Sequence, residues 1–332
     1  MGGIGKGIVR TSMGGLSLFI TLLVLTACQG NQETKVDAQA YVQADESYGK
    51  GALLLTRFSS LEELKKVVRI TYHDAYGTLK KAGEKGVKSV RLSHASGGSS
   101  VKGELAVGVD QVDFVRAQDS GFWAKVNLIF ESPYAVWKRN DMKRVFALSR
   151  RRGAVFGEGD VAFYDLAQQM MLNISAKDKH NMSAKDLADK GFINTFNHVT
   201  SQAFMTTLFS EKLADLVADA HERTNMPELI TGAFTSKQLK DMKNGPADNY
   251  LDIINNEWGQ ELGKTLKKKY NIKRKTQWSR VLLTNYLNDI QSYYTWAFNI
   301  TFKPFREEDE LIARFSSKLN VVMDDAPTVR ER

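Results

Sequence analysis

Residues 248–263, DNYLDIINNEWGQELG, set two aspartates, two adjacent asparagines and two glycines into a stretch with helical periodicity. At 100° per residue, Leu251, Ile254, Trp258 and Leu262 form one apolar stripe, and Asp248, Asp252, Asn255, Gly259 and Gly263 form a second along its shoulder. A glycine costs a helix up to ~1 kcal/mol relative to alanine. Two on one line therefore imply a neighbouring helix that approaches closely, which leaves Asp252 and the asparagines partly buried and in need of partners.

Partners lie upstream. In FINTFNHVTSQAFM, residues 192–205, Asn194, Asn197, His198 and Ser201 share one face, while Ile193, Phe196, Val199 and Phe204 take most of the rest. In SEKLADLVADAHERT, residues 210–224, His221 lies nearest Ala214, Val217 and Ala218, and Glu222 points about 100° away. The spacing therefore favours His221 over Glu222 as the inward group, unless the helix ends at residue 221.

These three segments carry Asn194-x-x-Asn197-His198, then Ala220-His221-Glu222, then Asp252-x-x-Asn255-Asn256-x-x-Gly259. In that order and spacing, residues 185–270 resemble an uncharacterised helical family found in many bacterial proteins, including the C-terminal ends of secreted toxins. The family pattern has arginine where this chain has Asn197, so the charge that an anion-binding role of that position would use is missing. The resemblance brings no activity with it. It implies that His198, His221, Glu222, Asp252, Asn255 and Asn256 belong to one constellation.

Two main readings of that constellation stand side by side, with a purely ligand-binding pocket as a third. In one it is a hydrolytic site: a histidine acts as general base, or His198, His221 and Asp252 bind a divalent metal, while Asn255 and Asn256 orient substrate or stabilise an oxyanion. In the other it is a buried hydrogen-bond network that fixes how three helices pack. No HExxH or other tight metal-ligand spacing is present, and no organic cofactor is expected. Convergence of His198, His221 and Asp252 on an open cleft favours an enzyme; a sealed core favours an interaction protein.

The N-terminus speaks to location. Lys6 and Arg10 precede an apolar run, Leu16 to Leu25, too short to span a bilayer. The run ends in Leu25-Thr26-Ala27-Cys28, which resembles a bacterial lipobox. That resemblance implies removal of residues 1–27 and diacylation of Cys28, the chain's single cysteine, and two or three acyl chains hold a protein on a membrane. Gln29 follows where an aspartate would favour inner-membrane retention, so the expected location is the cell envelope, with the outer membrane favoured. One cysteine also excludes an internal disulfide framework and a cysteine-based zinc cluster.

The 332-residue chain has a net charge of +8, which favours an anionic partner such as phospholipid or an envelope polymer. The basic runs WKRNDMKR, SRRRG and KTLKKKYNIKRK come without a nucleic-acid-binding motif. Residues 28–44 suit a flexible tether. In residues 45–158, SSLEELKKVVRITYHDAYGTLKKAGEKG opens with Ser60 and Glu63 at capping-box spacing and is expected to be helical to Ala82. VKSVRLSHA, VKGELAVGV, QVDFVRAQD and FWAKVNLIFES have strand-like alternation. YHDAYG, residues 72–77, resembles the His-Asp dyad of secreted phospholipases A2 but lacks their cysteines and calcium loop, so its histidine is expected on a helix surface. His94 and His180 have no companion residues.

Residues 159–323 carry helical patterns throughout, and 324–332 form a polar tail expected to be disordered. The expected class is α+β: a small antiparallel α+β domain followed by an all-α domain. The first expectation for function is an envelope interaction component, as in conjugation, exclusion or secretion machinery. The alternative is a membrane-tethered hydrolase acting on lipid or peptidoglycan.

Overall fold

The computed structural model of the protein describes residues 50–73, 89–226, 228–231 and 234–324. The signal run, Cys28, residues 28–44, Asp74 to Gly77 of the YHDAYG segment, and the tail beyond Asp324 lie outside the described residues. The architecture is α+β, with a small antiparallel sheet preceding a helical body.

After a single helical turn, α1 (Leu61–Leu64), the chain enters β1 (Arg69–His73), β2 (Ser89–Ser96) and β3 (Ser99–Ala106). The strands pair in the order β1-β2-β3, with Ile70 opposite Leu92 and Ser96 opposite Ser99. The β2–β3 turn consists of Gly97 and Gly98, with φ of 57° and 78°, the left-handed pair that a two-residue hairpin requires. Within the described residues, the helix expected from Ser60 onwards ends at Leu64 and gives way to β1, and residues 74–82 of that expectation lie outside the described residues. Ser60 does cap α1, accepting from the Glu63 amide at 3.2 Å, but Val67, Val68, Ile70, Thr71 and Tyr72 follow, and such residues suit a pleated, half-buried strand. His73 consequently ends a strand and not a helix.

Helices follow: α2 (Gln111–Asp119), α3 (Phe122–Glu131), α4 (Pro133–Trp137), α5 (Arg139–Ser149), α6 (Gly153–Phe156), α7 (Phe163–Asn173), α8 (Ala176–His180) and α9 (Ala184–Leu187). The two segments expected to be the third and fourth strands are α2 and α3. At α2 the alternation of Val112 and Phe114 misleads, because Asp110 and Asp113 form a reciprocal capping box that starts a helix. A kinked π-type turn, Asp189–Ile193, leads into α10 (Asn194–Leu208). Then come α11 (Glu211–Arg223), α12 (Glu228–Thr231), α13 (Ser236–Lys240), α14 (Pro246–Lys269), α15 (Arg280–Phe298) and α16 (Glu310–Met323). No helix among the described residues is long and apolar enough to cross a membrane.

The opening stretch, now within α14, joins two cores. Tyr250, Leu251, Ile254 and Trp258 pack with Leu53, Val90, Leu92, Val101 and Leu105 beneath the sheet. Beyond Trp258, Leu266 belongs to a larger core with Phe163, Phe196, Phe204, Trp278, Tyr286 and Phe315. Trp258 Nε1 donates to His94 Nδ1 at 3.0 Å. Burial holds that imidazole down to about 4, so it stays neutral and able to accept.

α10 and α14 run parallel. A bond between Lys190 and Asp248 is followed by Asn194 to Asp252, His198 to Asn256 and Gln202 to Gln260, every pair 58 residues apart. At the far end the glycine stripe does what its sequence implies. A Cβ on Gly259 would lie 2.6 Å from the Val199 carbonyl oxygen, and one on Gly263 2.6 Å from that of Ala203.

Candidate active site

The polar rungs of the α10–α14 pair meet the end of α11 at the floor of a cleft of about 500 Å³. Its walls come from α2 (Gln111, Phe114), α5 (Met142, Phe146), α10 (Asn197, Ser201) and α11 (Val217, His221), and its floor from Lys190, His198, Glu222, Asp248 and Asp252. The site is therefore open, and its walls mix apolar side chains such as Phe114, Met142 and Val217 with polar ones.

At the centre, His198 Nε2 stands 3.3 Å from Asp252 Oδ2, and His198 Nδ1 lies 2.9 Å from Asn256 Oδ1. Asn194 Nδ2 donates to the other Asp252 oxygen at 2.8 Å. Because the Asn256 carbonyl oxygen accepts only from an N–H, Nδ1 carries hydrogen and Nε2 faces Asp252 and Glu222. A bare lone pair there would oppose two carboxylates, so Nε2 requires either a proton or a cation. Ligand atoms of His198, Glu222 and Asp252 all lie within 4.8 Å of one another. Donors ~2.1 Å from one ion are at most about 4.2 Å apart, so only a slight contraction separates this group from a coordination shell.

The electrostatics agree. Burial alone would lower the His198 imidazole, but the Asp252 charge and hydrogen bond, then the Glu222 charge and the Asn256 bond, outweigh it and raise it to about 9. Glu222 is only 2 % exposed. Burial pushes its carboxyl well above the usual range, Asp252 adds to the rise, and His198 opposes it. Among the described residues its Oε1 has no hydrogen-bond partner, and neither does Asp248 Oδ1. Asp248 is likewise raised by burial and the Asp252 charge, against the pull of Lys190, whose Nζ donates to Oδ2 at 2.5 Å.

Of the residues singled out in the sequence, His198, Asp252 and Asn256 come together as expected. Glu222 joins them in place of His221, which corrects both the inward assignment and the proposed ligand set of His198, His221 and Asp252. α11 continues to Arg223, so the line Ala214-Ala218-Glu222 turns inward at every fourth residue. His221 turns outward to line the cleft wall, where its Nδ1 meets Gln111 Oε1 at 2.9 Å; burial and then the His198 charge lower its imidazole. Gln111 lies on α2, a helix expected to be a strand, so its side chain could not be placed from the sequence. Asn255 is also separate: it clips the N-terminal segment, receiving the Leu53 amide at 2.7 Å and donating to the Leu53 carbonyl at 3.0 Å.

Lys190 and Asp248 were not among the expected site residues. Their signal was the four-residue spacing itself, since 190, 194, 198 and 248, 252, 256 are matched series once the helices are known to be parallel. Gly191 makes the approach to α10, because a Cβ there would sit 2.1 Å from the Asp186 carbonyl oxygen. No family model, curated protein or solved structure matches the chain.

Proposed function

We propose that the protein is a membrane-tethered hydrolase of the cell envelope whose reaction centre is His198, Glu222 and Asp252 together with a divalent cation. The observation that carries this is the Glu222 carboxylate: buried at the floor of an open cleft, beside a histidine and a second carboxylate, with Oε1 unpartnered. A purely architectural network satisfies its buried groups. An orphaned carboxylate oxygen costs stability, and a ligand offers a reason to keep it.

One imidazole and two carboxylates, with the remaining positions facing the cleft, suit Zn²⁺ or Mn²⁺. Such an ion would supply a Lewis acid and an acidified water. Asn256 holds the His198 ring through Nδ1, as a carbonyl behind a metal-bound histidine does. Asn194 fixes the rotation of Asp252. Lys190, half-exposed beside Asp248, provides a positive charge on the side where negative charge develops in acyl or phosphoryl transfer. The tether is the lipid expected on Cys28.

The test is metal content and turnover of the purified protein after chelation and reloading with Zn²⁺ or Mn²⁺, assayed on carboxylic ester, phosphodiester and peptidoglycan substrates. The expected result is about one ion per chain and metal-dependent hydrolysis, both lost in Glu222→Gln and Asp252→Asn while circular dichroism keeps its helical signal. A wild-type protein that binds neither ion and hydrolyses none of the three classes would refute the proposal.

A further inference from the structure

Between α2 and α5, both of which wall the cleft, lies a second feature that the site does not explain. α3 buries none of its residues. Phe122, Trp123 and Phe130 on α3 and Trp137 on α4 are between 71 and 81 % exposed. Exposed apolar residues scattered singly are ordinary, but here Trp123 and Phe130 share one face of α3 seven residues apart, the Phe122 ring meets the Trp123 ring at 5.5 Å, and Trp137 stands exposed on the next short helix, a concentration that marks an interface. The opposite side of α3 lines a groove of about 590 Å³ with Leu128 and Ile129, closed by Ala135 of α4. Lys125, Arg139, Lys143 and Arg152 stand around this groove, and residues 120–152 carry eight lysines and arginines against two acidic residues, Glu131 and Asp141. The groove also adjoins the active-site cleft, because Phe114, Gln118, Met142 and Phe146 line both.

We infer that α3 and α4 seat the protein on an anionic phospholipid bilayer, and that the groove takes one acyl chain of a lipid whose polar part lies in the His198–Glu222–Asp252 cleft. The occupant follows from the chemistry of the face. Tryptophan and phenylalanine settle at the boundary between headgroups and chains, where a ring has apolar surroundings and an indole N–H still finds water or a headgroup. Lysine and arginine among them meet anionic headgroups. A protein partner would need polar contacts matched across α3, yet on its exposed aromatic side Asn127 is the one polar residue between Trp123 and Phe130. A short helix with aromatic residues outward and basic residues at its flanks is the form taken by segments that lie in the plane of a membrane surface. A groove that lies behind such a face, beside the cleft of the reaction centre, fits a molecule with one long apolar part and one polar part. The seating does not depend on hydrolysis; the assignment of the lipid as substrate rests on the function proposed above.

The experiment is fluorescence of the full chain with vesicles whose lipids carry brominated acyl chains, which quench only tryptophans that reach the hydrocarbon boundary. Because the lipid expected on Cys28 would tether the chain without bringing α3 to the surface, quenching reports seating and not anchoring. With phosphatidylglycerol–phosphatidylcholine vesicles, wild-type emission is quenched, Trp123→Phe with Trp137→Phe removes that quenched component, and Lys125→Glu with Arg139→Glu and Lys143→Glu raises the lipid concentration needed to reach it by on the order of a hundredfold or more. Asp252→Asn leaves it unchanged. Quenching that is absent, that survives loss of both tryptophans, or that is equal on phosphatidylcholine alone overturns the seating. For the groove, the probe is cis-parinaric acid, a fluorescent fatty acid: saturable binding to wild type, at least tenfold weaker in Leu128→Lys, supports the acyl site. Equal binding in Leu128→Lys and in Ala135→Phe refutes it. If the hydrolase proposal fails, quenching and parinaric acid binding are still read in full.

Discussion

The His198 ring is held between an amide carbonyl and two carboxylates, and that position makes the site a proton store whenever no cation is bound. The folded-state imidazole is raised from 6.5 to about 9, so its stabilising contribution is complete below pH 6.5 and is lost as pH rises towards 9. Glu222 is raised from an ordinary value of 4.5. A carboxyl that keeps its proton longer in the folded state also stabilises at low pH and ceases to do so as pH rises. Both groups therefore act in one direction, opposite to the usual behaviour of paired carboxylates. In the presence of a chelator, stability to urea is expected to fall between about pH 4.5 and 9, from the ordinary value of Glu222 to the raised value of His198. Glu222→Gln keeps the shape and removes the ionisation, so its stability relative to wild type should improve by about 1–3 kcal/mol across that interval, one to two pKa units' worth. Parallel pH profiles for the two proteins would show that Glu222 is not the buried acid described here.

At the scale of the element, α10 and α14 divide their contact into two functions along a common axis. The end marked by Gly259 and Gly263 is a close approach of backbones, and the other end holds the polar rungs from Lys190–Asp248 to His198–Asn256. Gly259→Ala would gain up to ~1 kcal/mol of helix propensity, but its methyl group would meet the Val199 carbonyl at 2.6 Å and Gln202 Cβ at 2.8 Å. Overpacking of this kind costs ~1–3 kcal/mol, so the variant should be less stable by about that much. Gly153→Ala, with open space around its Cβ, should change little; equal effects at both positions in chemical denaturation would remove the glycine seam as a determinant. This seam was legible in the sequence because glycines at i and i+4 of a helix weaken it twice on one face, a cost that a close helix–helix approach offsets. With the seam came the meeting of His198, Asp252 and Asn256. What was not legible had a local cause in each instance. Glu222 and His221 are about 100° apart on a helix that touches neighbours on two sides, so periodicity alone could not choose between them. α2 and α3 have apolar residues without a decisive period, and only the Asp110–Asp113 capping box distinguishes the first of them. β1 replaces helix because Val67 to Tyr72 outweighs a well-formed cap at Ser60.

At the scale of the whole molecule, α14 belongs to both hydrophobic cores, and the active site lies along the same helix, flanked by Leu251 and Trp258 on the sheet side and Leu266 on the other. The sheet brings little core of its own: Val90, Leu92, Val101 and Leu105 are covered by α14 and by the 53–68 segment that Asn255 clips in place. Three short strands are marginal alone, so the sheet depends on α14 for its stability. The helical body depends on it in turn through the glycine seam and the rungs to α10. The described molecule should therefore unfold as one unit although its cores are two. Leu251→Ala, at a fully buried position beneath the sheet, should cost ~2–5 kcal/mol. Hydrogen exchange followed by mass spectrometry should find that loss both in peptides from β2–β3 and in peptides from α15 around Tyr286 and Leu287, which Leu251 does not share a core with. Loss of protection confined to the sheet would mean that α14 frays at its N-terminal half independently of the body, and Asp252, one residue further on, would then sit on an element able to open without unfolding the protein.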